Sequence, residues 1–331
     1  MGGNIFPGTG DIRKEYIKPT LEKYFEEMKT IFPDKKEIFN LEHFIIVGSA
    51  GKKDLSGDID LAIDKKFISQ DFSDKSIGLW GLDIDKVKED FNKYKKRART
   101  ATDKELETRA LLKNIAEKIN NSISFIHTDV NKTGLGSMFS AFHQITTDNV
   151  QLGLEVQIDW LVGDIEWLKF SYYSNSYKKN IKGLHRTQLL ISAFQLVNAT
   201  FSHTRGVTDK STKEVVARTP DEALKYLSDR LGIDISKEKA SDYFSLHELL
   251  KKLSSENYNK LLNIYFNILS HTRADIPFDM QEDWKQMYIE HRYETKFLPP
   301  ESDLYAYVYG GISMVENFRT FINKYKKEVI K

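Results

Sequence analysis

The chain contains no cysteine. Disulfides and thiolate metal sites are therefore excluded, and the absence fits a reducing compartment. The histidines stand at 43, 127, 143, 185, 203, 247, 271 and 291, with no two at the close spacing of a zinc-binding hairpin or helix, so structural zinc is not expected. Long hydrophobic runs are missing as well. No apolar stretch approaches the length of a membrane span, and the opening MGGNIFPGTGDIRKEY has no apolar core of signal-peptide length. Phe6 stands where a myristoylation motif wants Ser or Thr. The expectation is a soluble, cytoplasmic protein with no membrane partner. Nor is there an excess of either charge: 49 basic side chains face 48 acidic ones, which leaves any binding of phosphate or nucleic acid to a local patch. Nothing in the sequence marks an oligomeric state.

What is present begins with VGSAGKKDLSGDIDLAID, Val47 to Asp64. An apolar strand from His43 breaks at Gly48-Ser49, passes through a basic loop, and returns as a second strand in which Asp58 and Asp60 are two residues apart. Strand residues i and i+2 project from one face, so these carboxylates share a small volume. Two like charges held together call for a proton, a basic partner or a metal. Mg²⁺ suits hard oxygen ligands and completes its shell with water and substrate phosphates, and Mn²⁺ can stand in for it. Asn149 to Val162 reads as a long strand with Leu152, Leu154, Val156, Ile158 and Trp160 on one face and Glu155, Gln157 and Asp159 on the other. Asp159 supplies the third carboxylate of a site for two ions. Its other reading is the solvent face of an amphipathic strand. Gly48 lets backbone approach a phosphate closely, a helix or turn beginning at Ser49 aims N–H groups and a hydroxyl at it, and Lys52 and Lys53 either neutralise the charge or form a solvated turn.

These motifs resemble the nucleotidyltransferase superfamily typified by DNA polymerase β, and GSAGKKDLSGDIDLAI is similar to the family X form of it. The resemblance covers roughly residues 43 to 190. It implies that Asp58 and Asp60 ligate both metals, that Asp159 ligates the catalytic metal beside the attacking hydroxyl, and that Ser49 with Gly48 holds the β and γ phosphates. The segment from Trp167 to Leu190 resembles the step at which such polymerases meet the incoming nucleotide. Tyr172, Tyr173, Ser174, Asn175 and Ser176 stand there, with Asn in place of the family's Gly, and Tyr173 becomes a candidate nucleotide contact. Arg186 either pairs with the triphosphate or caps a domain junction.

The expected fold is α+β: a palm-like domain over 1–175, with a mixed β-sheet flanked by helices, an N-terminal helix and a helical insertion at about 84–120, then a mainly α-helical domain over 176–331 with helical periods at 184–201, 220–231, 241–270 and 301–329. Ser122 to Val130 reads as strand and Gly134 to Thr147 as a loop and helix, and TGLGSMFSAF, from Thr133, also resembles a helix-hairpin-helix turn. Lys93, Lys95, Lys96, Arg97 and Arg99 form either a solvated helix face or a phosphate-backbone contact, with Tyr94 available for stacking. The expected activity is metal-dependent transfer of a nucleoside monophosphate from a nucleoside triphosphate to an acceptor hydroxyl, releasing pyrophosphate. A nucleic-acid 3′ end is the favoured acceptor. A small molecule, a protein side chain or a second nucleotide stays open, as does a fold relative that binds nucleotide or nucleic acid without catalysis.

Overall fold

The computed structural model describes residues 5–69, 72–99, 101–122, 124–173, 181, 183–272 and 274–284. The helical period at 301–329 and the segment Ser174 to Ser176 lie outside the described residues. The chain divides into two compact units, Met1–Ser176 and Tyr177–Lys331.

The first unit opens with a short strand β1 (Ile12–Arg13) and helix α1 (Lys14–Ile31). Then come β2 (Phe44–Val47), β3 (Leu55–Ser56), β4 (Asp58–Asp64), α2 (Lys65–Ser69), α3 (Asp74–Leu79), α4 (Ile84–Arg97) and α5 (Asp103–Asn120). It closes with β5 (His127–Thr128), β6 (Ser137–Ile145), β7 (Gln151–Gly163) and α6 (Ile165–Ser171). Five strands form one mixed sheet in the order β2-β4-β7-β6-β5, in which only the β4–β7 pair is parallel.

Strand alternation divides this sheet into two faces. Ile59, Leu61 and Ile63 of β4 and Ile158, Trp160 and Val162 of β7 pack with α1 and α5 in the main core. Helix α1 presents Ile17, Leu21, Tyr24, Phe25 and Met28 to that face, at the spacing of one side of a helix. A chain of hydrogen bonds fixes the register: Trp160 Nε1 donates to Tyr24 Oη at 3.0 Å, Tyr24 and Ser140 hydroxyls are 3.0 Å apart, and Ser140 Oγ donates to the Ile158 carbonyl at 3.0 Å. Because Ser140 spends its proton on Ile158, Tyr24 donates to Ser140, and every member is satisfied. Val47, Ala62, Leu161 and Leu168 form a smaller cluster on the opposite face, under α6.

Residues 84–120 fold as two helices, each started by a side-chain cap. Asp83 accepts from Asp85 and Lys86 N–H groups, and Thr102 forms a capping box with Glu105. Helix α4 packs on α5 through Val87, Ala110 and Leu111, and α5 in turn covers the sheet.

Three expectations need correction. Residues 137–145 are strand β6, not a helix, so TGLGS is no helix-hairpin-helix turn; SMFSAFHQI pairs along β7 from Ser137↔Leu161 to His143↔Glu155. Among the described residues, the strand expected over Ser122 to Val130 is confined to His127–Thr128. Strand β7 is not one-sided: from Val156 to Gly163 every residue is buried, while Leu154 is exposed. The reason is coverage, since helices pack over both sides of its second half.

The second unit contains α7 (Gly183–Leu196), β8 (Ala199–Ser202), β9 (Gly206–Asp209), β10 (Val215–Ala217), α8 (Pro220–Leu231), α9 (Lys237–Ser241), α10 (Tyr243–Leu250) and α11 (Ser255–His271). Helices dominate among the described residues, but the antiparallel β10-β9-β8 sheet was not expected. Asn198, at φ 59°, ends the helix short of the 201 expected from its period. A buried polar chain closes this unit. His247 Nδ1 lies 2.9 Å from Asp279 Oδ2, and His247 Nε2 lies 2.7 Å from the Tyr258 hydroxyl. Among the described residues no helix is long and apolar enough to cross a membrane.

Candidate metal centre

Parallel pairing of β4 with β7 sets Asp60 opposite Asp159 and Asp58 opposite Gln157. The alternation that sends Ile59 and Leu61 into the main core turns Asp58 and Asp60 to the other face, and Ile158 and Trp160 do the same for Asp159. The three carboxylates converge, with one oxygen of each inside a common distance of 4.8 Å. Asp58 and Asp159 are buried, at 8% and 7% exposure, and Asp60 is half-buried.

Such a cluster is uncomfortable as three anions. Burial, then the charges of Asp58 and Asp159, hold the Asp60 carboxyl well above the usual carboxylate range. Asp159 is pushed up to about 7, by burial first and the charge of Asp58 second, against the relief given by a hydrogen bond from Gln157. That bond runs from Gln157 Nε2 to Asp159 Oδ1 at 2.8 Å. Tyr172 feels the same field: burial, then the charges of Asp60, Asp159 and Asp58, keep its phenol neutral. Hard oxygen donors, burial and mutual repulsion together fit a divalent cation, which would compete with protons for the cluster.

Gly48 follows β2 at φ +67°, and a Cβ there would run into the Asp60 carboxylate. Glycine is thus required here by its neighbour as well as by its backbone, a tighter reason than phosphate approach alone. Its N–H donates to the Tyr172 carbonyl at 3.1 Å, tying the turn to the end of α6. After Gly48 the chain makes a turn, not a helix; the Ser49 carbonyl accepts from Lys52 N–H at 3.2 Å. Lys52 is exposed and its ammonium lies over the Tyr173 ring at 5.6 Å, and Lys53 is half-buried. Gly48, Lys52, Tyr173 and the triad therefore belong to one neighbourhood built from β2, β4, β7 and the end of α6.

The remaining candidates stand on other elements. Arg186 is buried in the second unit, on α7, where Nε donates to the Ala240 carbonyl at 2.7 Å. On α4, Lys95 pairs with Asp103 at 2.6 Å. Lys93, Lys96, Arg97 and Arg99 are exposed and carry no ion pair to a described residue. Tyr94 is not available for stacking as expected: the Arg109 guanidinium covers its ring at 4.3 Å. Helix α4 packs on α5, which lies against the sheet face opposite the triad, so its cations do not line the carboxylates. Sequence reading passed over Gln157 and Tyr172 as functional residues. Gln157 was visible as the i−2 neighbour of Asp159 on the same strand face; nothing local signalled that the Tyr172 carbonyl would meet Gly48.

No family model matches the chain, and no curated protein matches it. Among solved structures, the chain is similar to a crystal structure of Leishmania infantum polymerase beta in a ternary gap complex, at 12% identity over 74% of this chain and 69% of that one, with a TM-score of 0.27. A likeness of that size leaves the functional assignment to the geometry of the chain's own residues.

Proposed function

We propose that the protein is a metal-dependent nucleotidyltransferase that moves a nucleoside monophosphate from a nucleoside triphosphate to an acceptor hydroxyl and releases pyrophosphate. The observation that carries this reading is the convergence of Asp58, Asp60 and Asp159 on one sheet face beside the Gly48 turn. Asp58 and Asp60 would hold two Mg²⁺ or Mn²⁺ ions, with Asp159 completing the site of one of them. Bound there, the ions would neutralise phosphate charge and lower the pKa of the acceptor hydroxyl.

The residues around the triad do the positioning. Gly48 keeps the turn close to Asp60, and Ser49 places a hydroxyl and backbone N–H at the edge of the same turn, where a triphosphate would lie. Lys52 and Lys53 offer positive charge to that triphosphate, and Tyr173, beneath the Lys52 ammonium, offers a ring face near the nucleotide. The acceptor we propose is a nucleic-acid 3′ hydroxyl, on the similarity of GSAGKKDLSGDIDLAI to family X polymerases.

The test supplies each ribo- and deoxyribonucleoside triphosphate with Mg²⁺ or Mn²⁺ and with DNA, RNA or no acceptor, and follows pyrophosphate and labelled products. Asp58→Asn with Asp60→Asn is expected to abolish transfer while leaving the circular dichroism spectrum intact. A folded double variant with full activity would sink the site assignment.

A further inference from the structure

Gln157 is 2% exposed and bonded at both ends. Its Nε2 donates to Asp159 Oδ1 at 2.8 Å, and its Oε1 accepts the Ile5 N–H at 3.0 Å. The partners fix the amide's orientation, because a flip would set oxygen against carboxylate and NH₂ against N–H. Glutamate cannot replace it without placing a fourth carboxylate in the cluster, and leucine would delete both bonds.

The Ile5 end is anchored in its own right. Strand β4 pairs with β7 from Gln157 onward. Two residues earlier on β7, at Glu155, the place beside the strand is taken by the amino-terminal segment: Thr9 forms a parallel bridge to Glu155, and Gly10 N–H donates to the Glu155 carbonyl at 2.9 Å. Gln144 Nε2 donates to the Asp11 carbonyl at 3.1 Å, and Lys132 Nζ lies 3.5 Å from the Ile5 carbonyl. Thr9 and Gly10 thus continue the line of β4 along β7, and the turn before them brings Ile5 back to the Gln157 amide.

We propose that Gln157 is a positioning residue through which the amino-terminal segment sets the rotamer of Asp159. With Oδ1 held by the amide, Oδ2 is the oxygen presented to a cation. The inference rests on the metal-dependent reading of the triad, but it concerns metal affinity and not turnover.

The test measures Mn²⁺ binding to the full-length protein by electron paramagnetic resonance of free Mn²⁺, with Asp58→Asn/Asp60→Asn marking unspecific binding. Gln157→Leu is expected to weaken Mn²⁺ roughly 10- to 100-fold, the usual effect of losing a hydrogen-bond partner behind a metal ligand. Ile5→Pro, which removes the N–H and nothing from Gln157, should weaken binding in the same direction, while Ile5→Ala, which keeps it, should not. The Ile5→Pro/Gln157→Leu pair should bind no more weakly than Gln157→Leu alone, since both break one relay. A purely structural role would lower the melting temperature of the metal-free protein and leave the Mn²⁺ affinity of the folded fraction unchanged. Wild-type affinity in folded Gln157→Leu, or equal effects of Ile5→Pro and Ile5→Ala, overturns the relay alone. Failure of the wild type itself to bind Mn²⁺ overturns the metal reading beneath it. If Gln157→Leu does not fold, the Ile5 pair decides.

Discussion

Replacing Asp159 by Asn should make the metal-free protein more stable at alkaline pH. Asp159 is raised from 3.8 to about 7 by burial and by the charge of Asp58. A folded-state pKa above the unfolded one means that the folded protein binds more protons between those values. The contribution to stability is therefore fully present below pH 3.8 and is lost as pH rises towards about 7. A gap of roughly three pH units at about 1.4 kcal/mol each puts the loss near 4 kcal/mol as an upper bound, because Asp58 and Asp60 share the same field and relax with it. Asn keeps the volume and the Oδ1 acceptor for Gln157 while abolishing the charge. In chelator at pH 8, the variant should exceed the wild type by about 2 to 4 kcal/mol, and the two should converge towards pH 4. Urea unfolding followed by tryptophan fluorescence suits the measurement, since Trp160 is the next residue and Trp80 and Trp167 are buried in the same unit. Mg²⁺ should then stabilise the wild type more at pH 8 than at pH 5, because it competes with the same protons, and should leave the variant nearly unmoved. A variant no more stable than the wild type at pH 8 in chelator would refute the claim that the triad is strained by its own charge.

Three further expectations follow from the same geometry. Gly48→Ala combines φ +67° with a Cβ driven into the Asp60 carboxylate; calorimetry should show Mn²⁺ affinity falling at least tenfold, and an unchanged affinity would mean that Asp60 is no ligand. Tyr24→Phe leaves Trp160 Nε1 without its acceptor and Ser140 without its donor, and should cost about 1 to 3 kcal/mol in denaturant unfolding; a loss below a few tenths would place the chain of hydrogen bonds in dispute. On α4, Lys93→Gln with Lys96→Gln and Arg97→Gln should reduce the salt slope of duplex DNA binding by roughly 2 to 3 in log units, whereas Lys95→Gln, whose charge is already paired with Asp103, should change it little. Equal slopes for the triple variant and the wild type would assign that face to solvent.

The two-residue spacing of Asp58 and Asp60 was sufficient to place them on one face, because strand alternation is a local property. Asp159 was legible for the same reason, set between Ile158 and Trp160. Residues 137–145 were not. Met138, Phe142 and Ile145 recur at spacings of four and three, which imitates a helix, and burial of Ala141, Phe142 and Gln144 together erases the alternation that marks a strand. The three short strands between Ala199 and Ala217 were hidden because each is stabilised by its neighbours and carries little signal of its own. The basic run on α4 was visible as charge, but only packing showed that Lys95 is paired and Tyr94 covered.

The sequence alone determined the donor set: three carboxylates beside a Gly-Ser turn, with no sulfur and no clustered imidazole, are hard oxygen donors of the kind a divalent cation takes. Tertiary structure decided how close those donors come. The register of β4 against β7 sets Asp60 opposite Asp159 and Asp58 opposite Gln157, and that register depends on a long crossover, on the hydrogen-bonded wall of Tyr24, Ser140 and Trp160 behind the sheet, and on the amino-terminal segment laid beside Glu155. Pairing between residues about a hundred positions apart is fixed by packing, and no local window of sequence contains both partners.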